Sequence, residues 1–472
     1  MKLKRFLLYL ITFLVYTQGF LERFTPLPAS GMIEVGVWVL MLVSFRPKSG
    51  LVWMIIIFLS GLIAAIGTNT IIPYFKYLRY FFYFYVVYTA LWNLHFTKTE
   101  FGRYIRFNVT MVLLQGIASI INLTFFGRAE YNVGAMSSLG GTTATVFPLF
   151  IFTVLLVVYY FSSFPRKSWH LYILLMIASV FLMAYSSGKR AIFFYIPSFL
   201  IIISIICLFS IKRNRAGRKL VYVAGLVVLF LPVFFWGITQ AGGIGDSLSG
   251  NEDKTKVIRV AFEYAMFYED SETSTGATTG RSNTTEVVVS QALASWEGWL
   301  KGNGFGTMKD EDEITQAGVG YGFVGFSKDV FSGGIIFASL VVAFFIFIIF
   351  HQNVKTKDGF SRIMRIAILL VFVVVHFTYS SNFTSSLKIN MMLAPLLCFL
   401  NSVNYSHLKN YYYSKYLIRS CLKMDKKELY RRKKLYKWTR HQRQQEDKRP
   451  EGTALDRHPR DHDLNRLLEN HA

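Results

Sequence analysis

Long apolar runs recur from the first residues of this chain to about residue 405, and no other feature limits the possible folds as strongly. Each run is about 17 to 23 residues long, enough for a helix to cross a hydrocarbon core of roughly 30 Å. A transmembrane barrel would instead show alternating segments of about ten residues, whereas runs such as GGIIFASLVVAFFIFIIF are continuous. We therefore predict an all-α polytopic membrane protein.

About twelve spanning helices are predicted from these runs. The first run follows the charged start MKLKR, but no small-residue cleavage site comes after it, so it is interpreted as a spanning helix and not as a removed signal. The predicted domains are a transmembrane domain over residues 1–408 and a basic cytoplasmic tail over residues 409–472. The spans lie near residues 6–20, 32–46, 50–67, 77–95, 108–126, 144–163, 168–186, 191–211, 220–239, 329–351, 364–380 and 388–405.

Lysine and arginine concentrate in alternate connections between these runs, which are RPKSG, TKTEFGRYIR, PRKS, KRNRAGRK and KTKDGFSRIMR, and in the N-terminal KLKR. Cytoplasmic loops carry such an excess of cations, so both termini are predicted to be cytoplasmic. The net charge of +23 is then a consequence of topology and of the tail, and nucleic acid is not an expected partner. The first part of the tail is predicted to lie on the inner leaflet, and the rest to be disordered.

Two cations break this pattern. Lys189 and Arg190 lie in the connection SSGKR between the seventh and eighth predicted helices, which the topology places outside. One interpretation is that both side chains reach lipid phosphates at the bilayer surface. The other is an anion site, because Arg190 begins a helix whose dipole favours a bound diphosphate.

Residues 241–328 form a long external loop, too long for a simple connection. The segment TKVIRVAFEYAMFYED is predicted to be an amphipathic helix, and a second set of apolar residues recurs at helical spacing from Val289 to Leu300. These helices are interpreted as a surface-bound functional element or as a lid on the bundle. Arg259 and Arg281 are the candidate phosphate ligands, since guanidinium groups offer forked donors. Arg259 has Glu263 one turn away as an alternative partner.

Three features together resemble a known family. An external Gly-Lys-Arg opens a helix, the loop contains GRSNTTEVVVSQALASWEGWLKGNGFGT, and DVFSGGIIFASL follows. This order is similar to that in bacterial O-antigen polymerases and O-antigen ligases, over about residues 140 to 350. The resemblance implies a GT-C-type glycosyltransferase architecture, a metal-independent activity and an undecaprenyl diphosphate-linked oligosaccharide as substrate. It also implies that Arg190 and Arg281 hold the donor diphosphate.

The family resemblance has one departure. Ligases carry a His-Asn pair in the outer loop just ahead of the glycine pair, and VGYGFVGFSKDVFSGG contains no histidine. This favours a polymerase, which joins repeat units at the outer face of the bacterial cytoplasmic membrane. An O-antigen ligase, which transfers the glycan to lipid A core, and a lipid-linked oligosaccharide flippase or other transporter stay open as alternatives. A chain-length regulator is a possible protein partner of the polymerase.

The chemistry can be argued from the residues as well. No carboxylate cluster at metal-ligand spacing appears in the outer segments, so arginines are the natural groups to neutralise a leaving diphosphate, without a metal or cofactor. Candidate bases for the acceptor hydroxyl are Glu297 and His376, and each also has a plain structural interpretation. Lys189, Arg259 and Tyr321 are the predicted substrate-binding residues, the tyrosine by stacking on a sugar face.

Overall fold

The computed structural model describes the helical body of the chain. The described residues are 2–26, 28–44, 50–92, 98–126, 134–136, 142–161, 167–186, 191–210, isolated positions between 221 and 290, 293–306, 324–351, 359–379 and 387–402. They belong to one compact unit, Met1–Ser406, and the second unit, His407–Ala472, holds none of them.

The described residues are helical, and no β-strand occurs among them. A π-helical turn, Val375–Tyr379, follows the eleventh described helix directly. In chain order the helices are α1 (Lys2–Phe24), α2 (Ala29–Ser44), α3 (Leu51–Gly67), α4 (Ile71–Trp92), α5 (Lys98–Phe126), α6 (Thr142–Phe161), α7 (Lys167–Ser186), α8 (Ala191–Ser210), α9 (Trp296–Lys301), α10 (Gly325–Phe350), α11 (Gly359–Val374) and α12 (Leu387–Ser402).

The predicted apolar runs coincide with these helices at eleven of the twelve segments. Residues 220–239 form the twelfth, of which only isolated positions are described. Among the described residues, three helices are long and apolar enough to cross a membrane, over Gly102–Phe125, Gly325–Phe350 and Gly359–Thr378. Six shorter apolar helices accompany them, so the described chain fits an α-helical membrane protein.

Aromatic side chains join α4 to α10 in the middle of the body. Phe81 and Phe84 of α4 pack on Phe344 and Phe345 of α10, with ring centroids 5.0 to 6.0 Å apart. All four rings are buried. Further contacts place α12 beside α4, α3 beside α10, and α6 beside α8 and α11. Several helices also expose large apolar side chains on the faces that do not pack against other helices, as lipid-facing surfaces do.

Arg365 of α11 is the largest fully buried side chain of the described chain. Its guanidinium donates to the carbonyl oxygens of Ile349, of His351 at 3.2 Å and of Leu400 at 3.0 Å. These carbonyls lie at or just beyond the C-terminal ends of α10 and α12, where helix oxygens lack partners within the helix. Arg365 therefore ties three helices together at one end of the body.

Replacing Arg365 with alanine is expected to lower the free energy of unfolding by about 3 kcal/mol, because carbonyl oxygens bound by a buried charged donor would lose it. Arg362, exposed on the same helix, is the matched control, and its alanine variant should stay within about 0.5 kcal/mol of wild type. Thermal unfolding in detergent measures both. Equal stability of the two variants would contradict the assigned role.

Candidate functional site

Most of the predicted site residues lie outside the described part of the chain. These are Lys189, Arg190, Arg259, Arg281 and Tyr321. Glu297 and His376 are described, and they lie in different environments. Glu297 is 78% exposed on α9 and pairs with Lys301 one turn on, at 3.3 Å. His376 is fully buried in the π-helical turn.

The short helix α9 begins at a cap that the apolar spacing does not reveal. Leu293 is helical, the chain bends at Ala294 and Ser295, and the Ser295 hydroxyl accepts a hydrogen bond from the amide of Gly298 at 3.0 Å. A serine side chain that binds an early helix amide stabilises a new helix start. The prediction of one continuous helical spacing from Val289 to Leu300 is therefore wrong at this bend.

The glycine-rich turn after α9 interlocks with a kink in α10. Gly334 has φ +81° and ψ 171°, a conformation that is essentially restricted to glycine. A Cβ on Gly334 would lie 2.4 Å from the carbonyl oxygen of Trp299, and one on Gly302 would lie 2.4 Å from that of Phe331. The amide of Asn303 also donates to the Phe331 carbonyl at 2.6 Å. The two backbones thus meet with no room for a side chain.

The same turn also rests on the connection between α3 and α4. The amide of Phe305 donates to the Thr70 hydroxyl at 3.0 Å, and the hydroxyls of Thr68 and Thr70 lie 2.8 Å apart. The buried ring of Phe305 packs on Tyr74, Tyr77 and Phe337, with centroids 4.8, 5.5 and 5.3 Å away. We name residues 302–306 the glycine turn. It packs against the α3–α4 connection, the first turns of α4 and the first half of α10.

Three polar side chains from three helical segments meet beneath the glycine turn. The Tyr77 hydroxyl donates to one carboxylate oxygen of Asp329. The other carboxylate oxygen lies 3.7 Å from Nε2 of His376. Asp329 is 1% exposed and His376 is 0% exposed. We name these residues the polar triad.

The imidazole of His376 is fixed by aromatic neighbours. It stacks on Phe372 with centroids 5.2 Å apart and an interplanar angle of 12°. Phe377 and Phe326 meet it edge-on, at 5.3 and 6.5 Å. The π-helical turn widens the helix at this point, and such turns occur frequently at functional sites.

The start of α8 lies close to the polar triad. Tyr195, in the second turn of α8, has its hydroxyl 3.5 Å from that of Thr378 in the π-helical turn that holds His376. Lys189 and Arg190 immediately precede α8 in the chain. The α8 start, the π-helical turn, the α10 start and the glycine turn are therefore linked by direct contacts.

Sequence reasoning missed Tyr77 and Asp329. Asp329 stands at the edge of an apolar run, where one acid resembles an ordinary helix end, and Tyr77 lies 252 positions away from it. A usable signal was the acid of DVFSGG, since Asp329 stands four residues before the first glycine of the pair.

The side chains of the polar triad are of the types that can take part in proton transfer. A histidine is a common general base, and a carboxylate beside its ring orients it and stabilises its charged form. Among the described residues, no group of three or more His, Cys, Asp or Glu side chains could hold a metal ion.

Two comparisons with known proteins found no match. No protein-family model matches the chain, and no curated protein matches it either.

Replacing Gly334 with alanine is expected to weaken the docking of α9 by about 2 kcal/mol or more, since the new Cβ would need both strained dihedrals and space that Trp299 occupies. Hydrogen exchange of residues 296–306 should then rise. Gly102 is the matched control, because nothing lies within 4 Å of a Cβ built there. Unchanged protection in the Gly334→Ala protein would contradict the interlock.

Proposed function

We propose that this chain is a membrane glycosyltransferase that polymerises undecaprenyl diphosphate-linked repeat units into a surface polysaccharide, at the outer face of a bacterial cytoplasmic membrane. One observation carries the proposal. The glycine-rich turn after the loop helix and the glycine pair of α10, two separate motifs of the O-antigen polymerase resemblance, contact each other at Gly302 and Gly334. Two motifs whose backbones contact each other are expected to belong to one site.

The location of the polar triad also supports the proposal. It lies beneath the glycine turn, and the π-helical turn that holds its histidine contacts the second turn of α8. In this proposal Arg190 and Arg281 hold the donor diphosphate, while Lys189 and Arg259 add positive charge and Tyr321 contacts a sugar ring. Both chain termini are cytoplasmic.

The reaction balances without a cofactor. A hydroxyl of one lipid-linked repeat unit attacks the anomeric carbon of a second, and a glycosidic C–O bond forms. The bond from that carbon to the diphosphate oxygen breaks, and undecaprenyl diphosphate leaves with the electron pair. The proton of the attacking hydroxyl passes to a base, for which His376 oriented by Asp329 is the candidate. Since His376 is buried, the side chains that surround it must move to admit the acceptor.

The proposal is tested with membranes from cells that express the chain, supplied with lipid-linked repeat units. Polymer ladders on a gel are expected with the chain and not with membranes from cells that lack it. Ladders should persist in EDTA, because the proposed mechanism uses arginines in place of a metal. Absence of ladders from membranes with well-folded protein would contradict the function.

A lipid-linked oligosaccharide transporter is the second candidate, and the polar triad favours it. Buried ionisable residues within membrane helices mark proton and substrate pathways in transporters. Asp329 and His376 form such a pair. A transporter would move the lipid-linked unit between leaflets without lengthening it, which separates the two candidates experimentally.

A further inference from the structure

Two exposed tryptophans stand on α9, directly before the glycine turn. Trp296 is 75% exposed and Trp299 is 41% exposed. The indole nitrogen of Trp299 donates to the carbonyl oxygen of Leu293 at 3.2 Å, and this bond holds the ring in one orientation. The backbone beneath the ring is fixed as well, because the Trp299 carbonyl meets Gly334 with no room for a side chain. The ring of Trp299 is therefore an exposed aromatic surface in a fixed place.

Two exposed asparagines lie where the glycine turn meets the connection between α3 and α4. Asn303 precedes Gly304 in the glycine turn, and Asn69 follows Thr68 in that connection. A Cβ built on Gly304 would lie 2.8 Å from the Thr68 hydroxyl, so the two segments touch beside both asparagines. Among the described residues, neither asparagine side chain has a hydrogen-bond partner. Each amide therefore offers two donors and one acceptor to a ligand. We give the name tryptophan face to Trp296, Trp299, Asn69 and Asn303.

The segments that carry the tryptophan face have no net charge. Residues 67–70 and 296–306 contain one acid and one cation, Glu297 and Lys301, which form an ion pair at 3.3 Å. The Glu297 side chain is 78% exposed. A helix that binds an anionic membrane surface instead carries an excess of Lys and Arg on its polar face. The charge pattern therefore favours an uncharged ligand over an anionic lipid headgroup.

A neutral sugar matches both kinds of side chain in the tryptophan face. A sugar ring has an apolar side of C–H groups, which stacks on an indole, and a rim of hydroxyl groups, which bind to amide donors and acceptors. Tryptophan also loses little conformational entropy on binding, because its side chain has only two rotatable bonds. Two indoles together with two amides are therefore suited to an oligosaccharide.

The glycine turn connects the tryptophan face to the polar triad. Asn303 is exposed on this turn, whereas the ring of Phe305, two residues further on, is buried and packs on Tyr77 at 5.5 Å. The Tyr77 hydroxyl in turn donates to Asp329. A sugar on the tryptophan face would therefore be bound by the same turn that packs against the polar triad.

We propose that the tryptophan face binds neutral sugar residues of a lipid-linked oligosaccharide, with the indoles stacking on the sugar rings and the asparagine amides bonding to their hydroxyl groups. This inference rests on the proposed function for the class of ligand, since a polymerase and a transporter both handle such a glycan. The face is a binding subsite, and it is separate from the arginines proposed to hold the diphosphate.

The test uses the full chain, purified in nanodiscs and fluorescently labelled, in a concentration series on an array of defined neutral and acidic oligosaccharides. We expect wild type to bind neutral glycans. Trp299→Ala should weaken their binding about tenfold, the effect of one lost aromatic contact and the surface it covers. Trp299→Phe keeps an aromatic ring and should retain most of the affinity. Asn303→Ala should weaken binding about fivefold, through the loss of one hydrogen-bonding amide.

Trp38→Ala is the matched control for Trp299→Ala. Trp38 is 44% exposed on α2, and its indole nitrogen donates to the Tyr83 hydroxyl at 3.1 Å. This variant therefore loses a similar exposed ring and a similar hydrogen bond at another place. Its affinity for the glycans should equal that of wild type. Equal losses in Trp38→Ala and Trp299→Ala would overturn the proposal, because the effect would then not belong to the tryptophan face.

The salt dependence of binding separates a sugar from an anion. Binding to an uncharged ligand should change by less than about twofold between about 50 and 500 mM salt, whereas binding that depends on exposed charges is screened. Three results would overturn the proposal: no neutral glycan bound by wild type, binding that salt abolishes, or unchanged affinity in Trp299→Ala. In the last case, quenching of the Trp299 fluorescence by brominated lipid would identify the tryptophans as membrane anchors.

Failure of the tryptophan face and failure of the polymerase give different results. Glycan binding that Trp299→Ala weakens, in a wild-type protein that forms no polymer ladders, supports the face and contradicts the polymerase. Ladders formed by wild type and by Trp299→Ala with the same acceptor KM contradict the face and leave the polymerase in place. If both proposals hold, Trp299→Ala should raise the acceptor KM about tenfold with little change in kcat.

Discussion

Replacing Arg281 with alanine should reduce the rate of polymer formation about 100- to 1,000-fold, the effect of removing one preorganised group that stabilises charge in a transition state. In the proposed reaction the leaving undecaprenyl diphosphate gains charge as the glycosyl bond breaks. A guanidinium that binds this charge acts more strongly in the transition state than in the bound substrate, so the turnover rate should fall more than the affinity for the donor. Arg190→Ala should show the same pattern.

The control for these arginine variants is Arg106→Ala. Arg106 is exposed on α5, in a segment that the topology assigns to the cytoplasmic side, and its loss should leave polymer formation unchanged. Arg281→Lys keeps the charge but not the forked donors, so an intermediate rate is expected. If Arg190→Ala and Arg281→Ala both form ladders at the wild-type rate at matched protein levels, neither residue holds the diphosphate.

Replacing Asp329 with asparagine should lower the turnover rate at least about 100-fold, the contribution typical of a positioned general base. Asparagine still accepts the Tyr77 hydrogen bond, so the helix contact stays, while the charge that stabilises a protonated His376 is lost. The acceptor KM should change little, because Asp329 acts through His376 and does not bind sugar. His376→Gln should give a loss of similar size.

Two further variants separate a role in positioning from a role in folding. Asp329→Glu restores the charge and should recover part of the rate. Tyr77→Phe removes only the hydroxyl that binds Asp329, and a smaller loss is expected. Thermal unfolding of each variant in detergent excludes collapse of the fold as the cause. A folded Asp329→Asn protein with the wild-type turnover rate would contradict the assignment of His376 as base.

The helices were predictable because each depends on its own residues. A continuous apolar run needs only its length to become a helix in a membrane protein, and eleven predicted segments coincide with described helices. The start of α4 is an informative miss. The prediction began this helix at residue 77. The helix begins at Ile71, since proline is tolerated in a first helical turn.

The contacts of the polar triad and of the buried arginine were not predictable, because they depend on residues far apart in the chain. Arg365 lies in a basic connection that was interpreted as a topology signal, and its burial follows only from the helix ends of α10 and α12 around it. The π-helical turn that carries His376 has no local signature either. The diphosphate-binding role proposed for Arg190 and Arg281 comes from the family resemblance and from the chemistry of guanidinium groups.

In the proposed function the chain lengthens a lipid-linked glycan. The most direct measurement uses purified protein in proteoliposomes with a lipid-linked repeat unit as the sole substrate, and product analysis by mass spectrometry. We expect lipid-linked dimers and longer products, with one undecaprenyl diphosphate released for each bond formed. Substrate that crosses the bilayer unchanged, with no released undecaprenyl diphosphate, would contradict it and support a transporter.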